Sequence, residues 1–486
     1  MAARMLGTGT SKQSLLLGSL FVAGTAHILI KLIIKQRRDA NKHKYPPVPN
    51  SSMWDTISAL AGDDFPWFLL EAAEALKART FQLSLPLPVP MVVAVGDPKL
   101  AREILSDKGT TKPIHMYQNF DATTNGLPTI FTSNGNYWHE RRKGVAPAFA
   151  ASQVHRMNQV ALKTADQWIV NKMKEFGNGF SFDVGKEMID LLLQSLSITA
   201  FEYTLSRKEL EAFKHELELA MKEFLFKSAT NAFRKLYGLF LQERRRAHLA
   251  SQYLHELCLT IVQSYRALEH PTEGTIIDLI MNNPCYQSDA ERAADIFVFL
   301  NAGHDTTAYS LAWTLKELAL NPQLQTELRQ ELALEDPSTV HNNSFLKKCI
   351  REAIRLHPVS SVGSVRELGR DFVTIDGKLI PSGSIAFLPF ILQHRDPNVF
   401  GETANQYDPQ RWDDPTPEMM EAFLPFSAGK QNCVGQSLAN AEMHSIVPQI
   451  LAKFELSVEQ PGTTAYFFTL KPVDTILKAT LLKDCS

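Results

Sequence analysis

Cysteine is scarce in this chain. The five residues Cys258, Cys285, Cys349, Cys433 and Cys485 form no C-x-x-C pair and have no histidine partner at zinc-like spacing, which argues against a disulfide framework and a structural zinc site. Net charge is equally small. Lys plus Arg total 50 against 52 for Asp plus Glu, a balance of −2 that gives no general attraction to nucleic acid. No Gly/Ser-rich linker, long single-sign charge run or fixed-period repeat divides residues 50–486, so one large domain is expected. No dinucleotide-binding glycine fingerprint follows a strand, so a redox reaction here would need electrons from a partner. What the chain does have is apolar mass, 44% of its 486 residues, enough to enclose a cofactor-sized cavity.

Its longest uncharged apolar run is N-terminal. Residues 13–30 (QSLLLGSLFVAGTAHILI) are just long enough to span hydrocarbon, and Lys31, Lys35, Arg37, Arg38, Lys42 and Lys44 follow against a single acid, Asp39. The expectation is a single-pass anchor with its basic flank over 1–44, in the endoplasmic reticulum membrane with the bulk of the chain cytosolic. An organelle transit peptide is the alternative, since no acid precedes Asp39. The Pro-rich stretch 45–50 is a stiff hinge, and 45–486 is the catalytic domain. Apolar positions recur at helical period over 152–176, 185–203, 208–233, 242–268 and about 291–320. Strand-like pieces fall at 87–96, 372–375 and 475–482, and 108–134 is polar and without period, as expected of a functional loop. The class is mainly α with small β-sheets.

The strongest local signal is Phe426-Ser427-Ala428-Gly429-Lys430-Gln431-Asn432-Cys433-Val434-Gly435, followed at once by the helix-like QSLANAEMHSIV. A cysteine in front of a helix start faces unpaired N–H groups and the positive end of the helix dipole, which favour a thiolate. Phe426 can shield the sulfur from water, and Gly429 and Gly435 permit tight turns and close backbone approach. This spacing resembles the cysteine loop of the cytochrome P450 family, F-x-x-G-x-R-x-C-x-G, at every position except the arginine, which is Gln431. The resemblance continues in order along 45–486. Ala302-Gly303-His304-Asp305-Thr306-Thr307 is similar to the family's oxygen-activating helix segment, with small residues making room for a planar cofactor. Glu352 and Arg355 in REAIRLHP, with Arg411, resemble its E-x-x-R helix and third partner. Trp138 and Arg142, in WHERR, resemble the helix that donates an indole N–H and a guanidinium to a haem propionate, and Arg366 occupies a similar place.

The resemblance implies the family's fold and a haem b cofactor with Cys433 as axial iron ligand. It further implies cofactor contacts from Trp138, Arg142, Arg366, Phe426, Gly429, Gln431 and Gly435. Thr306 and Asp305 would control proton delivery, and Glu352, Arg355 and Arg411 would form a buried structural network. The implied reaction inserts one atom of O2 into an apolar, lipid-like substrate with electrons from an NADPH-dependent flavoprotein reductase. Arg141, Lys143 and Lys430 would form a basic patch on the cysteine side, where that reductase docks. Residues 108–134, Phe297, Asn301, 359–365 and 472–475 would line the substrate pocket. Two other classes compete: a haem-thiolate isomerase or dehydratase of lipid hydroperoxides, against which Asp305 and Thr306 count, and a haem sensor without turnover.

Overall fold

The computed structural model describes residues 53–62, 64–83, 90–227, 240–336 and 339–482. The N-terminal apolar run, the 45–50 hinge and Cys485 lie outside the described residues. Among those described, no helix is long and apolar enough to cross a membrane. Nine helices bear on the site: α1 (Ile114–Asp121), α2 (Gly135–Val145), α3 (Ala151–Phe176), α4 (Val184–Phe201), α5 (Arg207–Met221), α6 (Gln242–Arg266), α7 (Asp289–Leu320), α8 (Ser344–Leu356) and α9 (Gln436–Leu451). Four of them begin where a short polar side chain accepts an otherwise unpaired N–H. Asp183 accepts from Lys186 at α4, Ser288 from Glu291 at α7 and Asn343 from Leu346 at α8, while Ser206 and Glu209 make a reciprocal capping box at α5.

Helix α7 is the spine, packed against α4, α6, α8 and α9. Its first half contributes Ile296, Phe297 and Leu300 to one apolar cluster, together with Phe213 and Leu254. Its second half contributes Ala308, Leu311 and Leu315 to another, with Ile350, Ile446 and Ile450. Full burial of each such large side chain stabilises the fold by about 1.5–3 kcal/mol. The core changes hands where α7 turns polar, at Asn301, His304 and Thr307, all three buried. That is the stretch the sequence marks as chemical.

Strands are few and short. β1 (Thr80–Leu83), β2 (Val92–Val95), β4 (Ser364–Glu367) and β7 (Ile385–Leu388) form a sheet of order β1-β2-β7-β4, parallel only between β2 and β7, and it sets Arg366 opposite Ala386. β3 (Gly179–Asp183), β11 (Ile476–Leu481) and β8 (Phe454–Gln460) make a second sheet. β5 (Phe372–Val373) with β6 (Leu379–Ile380), and β9 (Thr463–Phe467) with β10 (Thr469–Val473), are hairpins.

The mainly α class with small sheets is therefore found, and α3, α4, α6 and α7 begin and end within about two residues of expectation. Three expectations change. The helix read over 208–233 ends as α-helix at Met221 and widens into a π-turn, Lys222–Lys227; residues 228–239 lie outside the described ones. The stretch 108–134 is not a bare loop, since α1 follows Pro113 and a 3-10 turn, Ala122–Thr124, follows α1. Two turns of polar helix are too few for a period to show. The strands expected over 87–96 and 372–375 shrink to β2 and β5, with 84–89 outside the described residues.

Candidate active site

The cysteine loop is closed by its own backbone. The Cys433 N–H donates to Phe426 O at 2.9 Å, and the chain reverses through Ser427 at φ 61° and Gly429 at φ 73°. A Cβ at Gly429 would lie 2.0 Å from Leu105 O, so only glycine fits against that neighbouring helix end. Helix α9 then starts with Gly435 at its N-cap and no side-chain cap. The sulfur stands before that start, where the backbone N–H groups of Gly435 and Gln436 favour its anion. Burial pushes the Cys433 thiol up, while these N–H groups and Arg142 pull it back. The helix start expected to favour the anion thus offsets desolvation without overcoming it, and a cation at the sulfur would complete the balance. Cys433 is solvent-exposed at this helix start, and Ala302 is exposed within an otherwise largely buried stretch of α7.

The two small residues of α7 divide their work. Ala302 is exposed, whereas a Cβ on Gly303 would meet Leu196 Cδ2 of α4 at 2.7 Å. Of the two, Ala302 is the one left open, and Gly303 lets two helices approach. The Thr306 hydroxyl donates to Ala302 O at 2.9 Å, and the Asp305 carboxylate accepts from Thr469 Oγ1 at 2.8 Å. Burial raises the Asp305 carboxyl, opposed by His304, the Thr469 hydroxyl and Lys471. His304 is buried, with Nδ1 2.6 Å from Leu300 O and its ring edge-on to Phe213 at 5.7 Å. Phe297 and Asn301 are packed in the core, Phe297 within 6.0 Å of Phe120 and 6.5 Å of Phe213 by ring centre.

Three cations converge without an anion. Lys112, 7% exposed, donates from Nζ to Phe131 O at 2.7 Å and Ile130 O at 3.4 Å. Burial, then the nearby Arg366 and Arg142, lower it from 10.5 to about 7. Buried Arg366 donates to Val365 O and interacts with Tyr117, and Arg142 donates to Asn432 O at 3.0 Å and Asn432 Oδ1 at 2.9 Å. None of the three has a salt bridge among the described residues. Gln431, in the family's arginine position, donates to Asn134 Oδ1 at 3.1 Å. Asn134 in turn brackets Lys112, accepting its N–H and donating to its carbonyl. Trp138 is half-buried against the same core. Sequence reasoning missed Lys112, because a lysine before a proline carries no signal until the fold buries it.

The expected network is present and larger than expected. Glu352 and Arg355 are fully buried, joined by two hydrogen bonds of 2.8 Å. Glu352 also accepts from Arg411 Nε at 2.8 Å, Trp412 Nε1 at 2.9 Å and the Asp408 N–H at 3.1 Å. Arg355 donates to His394 O and Ala404 O, both at 2.7 Å, and His394 Nε2 accepts the Leu424 N–H at 2.9 Å, two residues before Phe426. Burial drives His394 down to about 3, so its ring stays a neutral acceptor. Every charge in the network is met, and it runs unbroken from α8 to the cysteine loop. Half-buried Phe426 packs on the cluster containing Ile446 and Ile450.

Arg141 does not join a basic patch. It is fully buried, paired with Asp295 at 3.1 Å and Glu291 at 2.6 Å, and lies between the rings of Tyr137 and Tyr286. Asp295 also accepts the Ile130 N–H, so this pair ties α2 and α7 to the segment after α1. Lys143 and Lys430 are exposed, which leaves the expected patch with two members.

Haem fits this set on chemical grounds: a thiol stands before a bare helix start, and buried Lys112 and Arg366 with half-buried Arg142 suit a group with two carboxylates. The cytochrome P450 family profile matches residues 83–479. Cytochrome P450 4F8 of Homo sapiens is 27% identical over 404 residues, 76% of each chain. Taurochenodeoxycholic 6 alpha-hydroxylase of Sus scrofa is 28% identical over 75% of this chain and 77% of its own. Cytokinin hydroxylase of Arabidopsis thaliana is 26% identical over 72% of each. With the profile spanning most of its length and the cysteine loop and cation cluster in place, this chain belongs to the cytochrome P450 family of haem-dependent monooxygenases.

Proposed function

We propose that Cys433 is the axial ligand of haem b in a monooxygenase of apolar, lipid-like substrates. The observation that carries this reading is the exposed Cys433 in front of a helix start that has no side-chain cap, within a loop closed by its own backbone. Bound there, haem supplies the oxygen chemistry, one atom of O2 entering substrate and the other leaving as water, with electrons from an NADPH-dependent flavoprotein reductase. Lys112, Arg142, Arg366 and Trp138 hold its carboxylates. Gly429 and Gly435 let the backbone close around the sulfur, and Phe426 keeps water from it. Glu352, Arg355 and Arg411 hold the loop from behind. A relative named as taurochenodeoxycholic 6 alpha-hydroxylase supports an apolar, lipid-like substrate.

The test is NADPH- and reductase-dependent O2 consumption with an oxygenated product from a lipid panel. Turnover of lipid hydroperoxides without NADPH would instead make the protein an isomerase or dehydratase, and haem binding without either turnover a sensor.

Thr306 and Asp305 of α7 deliver protons in this reading. Thr306→Ala is expected to keep haem and its spectrum but to divert most NADPH electrons to peroxide, lowering product per NADPH by about tenfold. Equal coupling in both proteins would assign proton delivery to another donor. The anchor reading places 1–44 in the endoplasmic reticulum membrane and 45–486 in the cytosol. Removing residues 1–34 is expected to move much of the haem-loaded protein from pellet to supernatant after high-speed centrifugation, and full retention in the pellet would place the attachment elsewhere.

A further inference from the structure

Hairpin β9–β10 reaches the chemical stretch of α7 from a distant part of the chain. Thr469 pairs with Phe467, so Phe468 alone makes the reversal, at φ 62°, a left-handed conformation that a bulky side chain enters only at a cost. Phe467 and Phe468 pack on the apolar cluster that contains Phe120, Ile130 and Phe297, and this packing holds the strained turn. Directly behind it, Thr469 is 3% exposed and donates from Oγ1 to Asp305 Oδ2 at 2.8 Å, across 164 residues of sequence. The next residue, Leu470, accepts from Trp313 Nε1 at 3.1 Å and donates its N–H to Val359 O at 2.8 Å. Asp305 and Trp313 are just over two turns apart on α7, so the strand is fixed to the helix at two points and Thr469 cannot follow the acid if it swings. The other groups around the carboxylate are His304 and Tyr309 on its own helix and Lys471 on β10; beyond His304 stand Lys214 of α5 and Asp190 of α4.

We propose that Thr469 is a positioning residue of the proton relay: its hydroxyl sets the direction of the Asp305 carboxylate, and the strained Phe468 turn sets Thr469. This rests on the reading of Asp305 as a relay group. Thr469 itself neither gains nor loses a proton. Thr469→Val keeps the shape and removes the donor, leaving a buried carboxylate oxygen short of a partner, whereas Thr469→Ser keeps the donor.

Infrared difference spectra of the haem-loaded protein test this, by way of the carboxylic acid C=O band that Asp305→Asn lacks, alongside product formed per NADPH. Because the Thr469 bond favours the ionised acid, Thr469→Val should titrate that band at higher pH than the wild type. It should also lower product per NADPH by roughly tenfold with KM and haem content unchanged, and Thr469→Ser should restore both. If Thr469→Val fails to fold, Thr469→Ala reads the same loss of donor without the added methyl contacts. Wild-type titration and yield in the donor-less variants, with a lowered yield in Asp305→Asn, would overturn the positioning role and leave the relay standing. An unchanged yield in Asp305→Asn would overturn the relay and the proposal with it.

Discussion

Cys433→Ser abolishes the red-shifted Soret band of the reduced carbon monoxide complex, while serine at Cys258, Cys285 or Cys349 preserves it. The expectation follows from where each sulfur sits. Cys258 and Cys349 are fully buried, and burial alone drives the Cys258 thiol far up and dominates the rise of Cys349 to about 12. Burial raises the half-buried Cys285 thiol, and Asp295, Glu140 and Glu291 add to the rise against the pull of Arg141. Cys433 alone among these four is exposed and stands before a helix start whose backbone N–H groups, with Arg142, favour its anion. A serine oxygen could keep the hydrogen bonds but is a poor thiolate substitute as an iron donor. Because the red shift depends on sulfur donation to iron, the change is the loss of the band, and a normal band in the serine variant would end the assignment.

The site divides into parts written locally and parts written by the fold. The cysteine loop was legible because one short stretch holds the glycines for its turns, the ligand and the start of the helix. The Glu352–Arg355 pair was legible for a similar reason, three residues apart on one helix face. Neighbouring residues on a helix, however, point about 100° apart, and no motif says which of two adjacent arginines turns which way. Arg142 reaches the cysteine loop while Arg141 turns to Asp295, so one is a cofactor candidate and the other a buried tie. Ala302 and Gly303 part company in the same manner. Lys112, His394, Trp412 and Thr469 gain their meaning only from residues brought close by packing. None of them carries a spacing rule.

Lys112 has the more far-reaching consequence, because it bears on how haem is retained without an arginine at position 431. Gln431 brings no charge, and Lys430 is exposed rather than turned inward. The buried cation near Arg142 and Arg366 is instead Lys112, lowered to about 7 by burial and by those two guanidinium groups. In the haem-free protein, this folded value lies below the unfolded 10.5. Between about pH 7 and 10.5 the unfolded chain therefore holds a proton that the folded chain lacks, and this group's contribution to stability rises with pH across that window. A haem carboxylate beside the ammonium restores the proton, so haem binding takes one up above about pH 7. Affinity should be flat in this respect below that pH and fall by up to about tenfold per pH unit above it. Lys112→Arg should remove the slope while keeping the charge. Lys112→Gln should remove the slope and speed haem loss by about ten- to a hundredfold, the loss of one charge-assisted hydrogen bond of about 1.5–3 kcal/mol. Gln431→Arg should slow haem loss and soften the penalty of Arg142→Ala, which a double-mutant cycle would read as coupling between the two positions. Haem transfer to an apo-globin acceptor at pH 6.5 to 9 measures all of these. Parallel pH profiles in the wild type and Lys112→Arg would show that another group titrates, and equal Arg142→Ala penalties in the two backgrounds would show that Gln431 is neutral to the clamp.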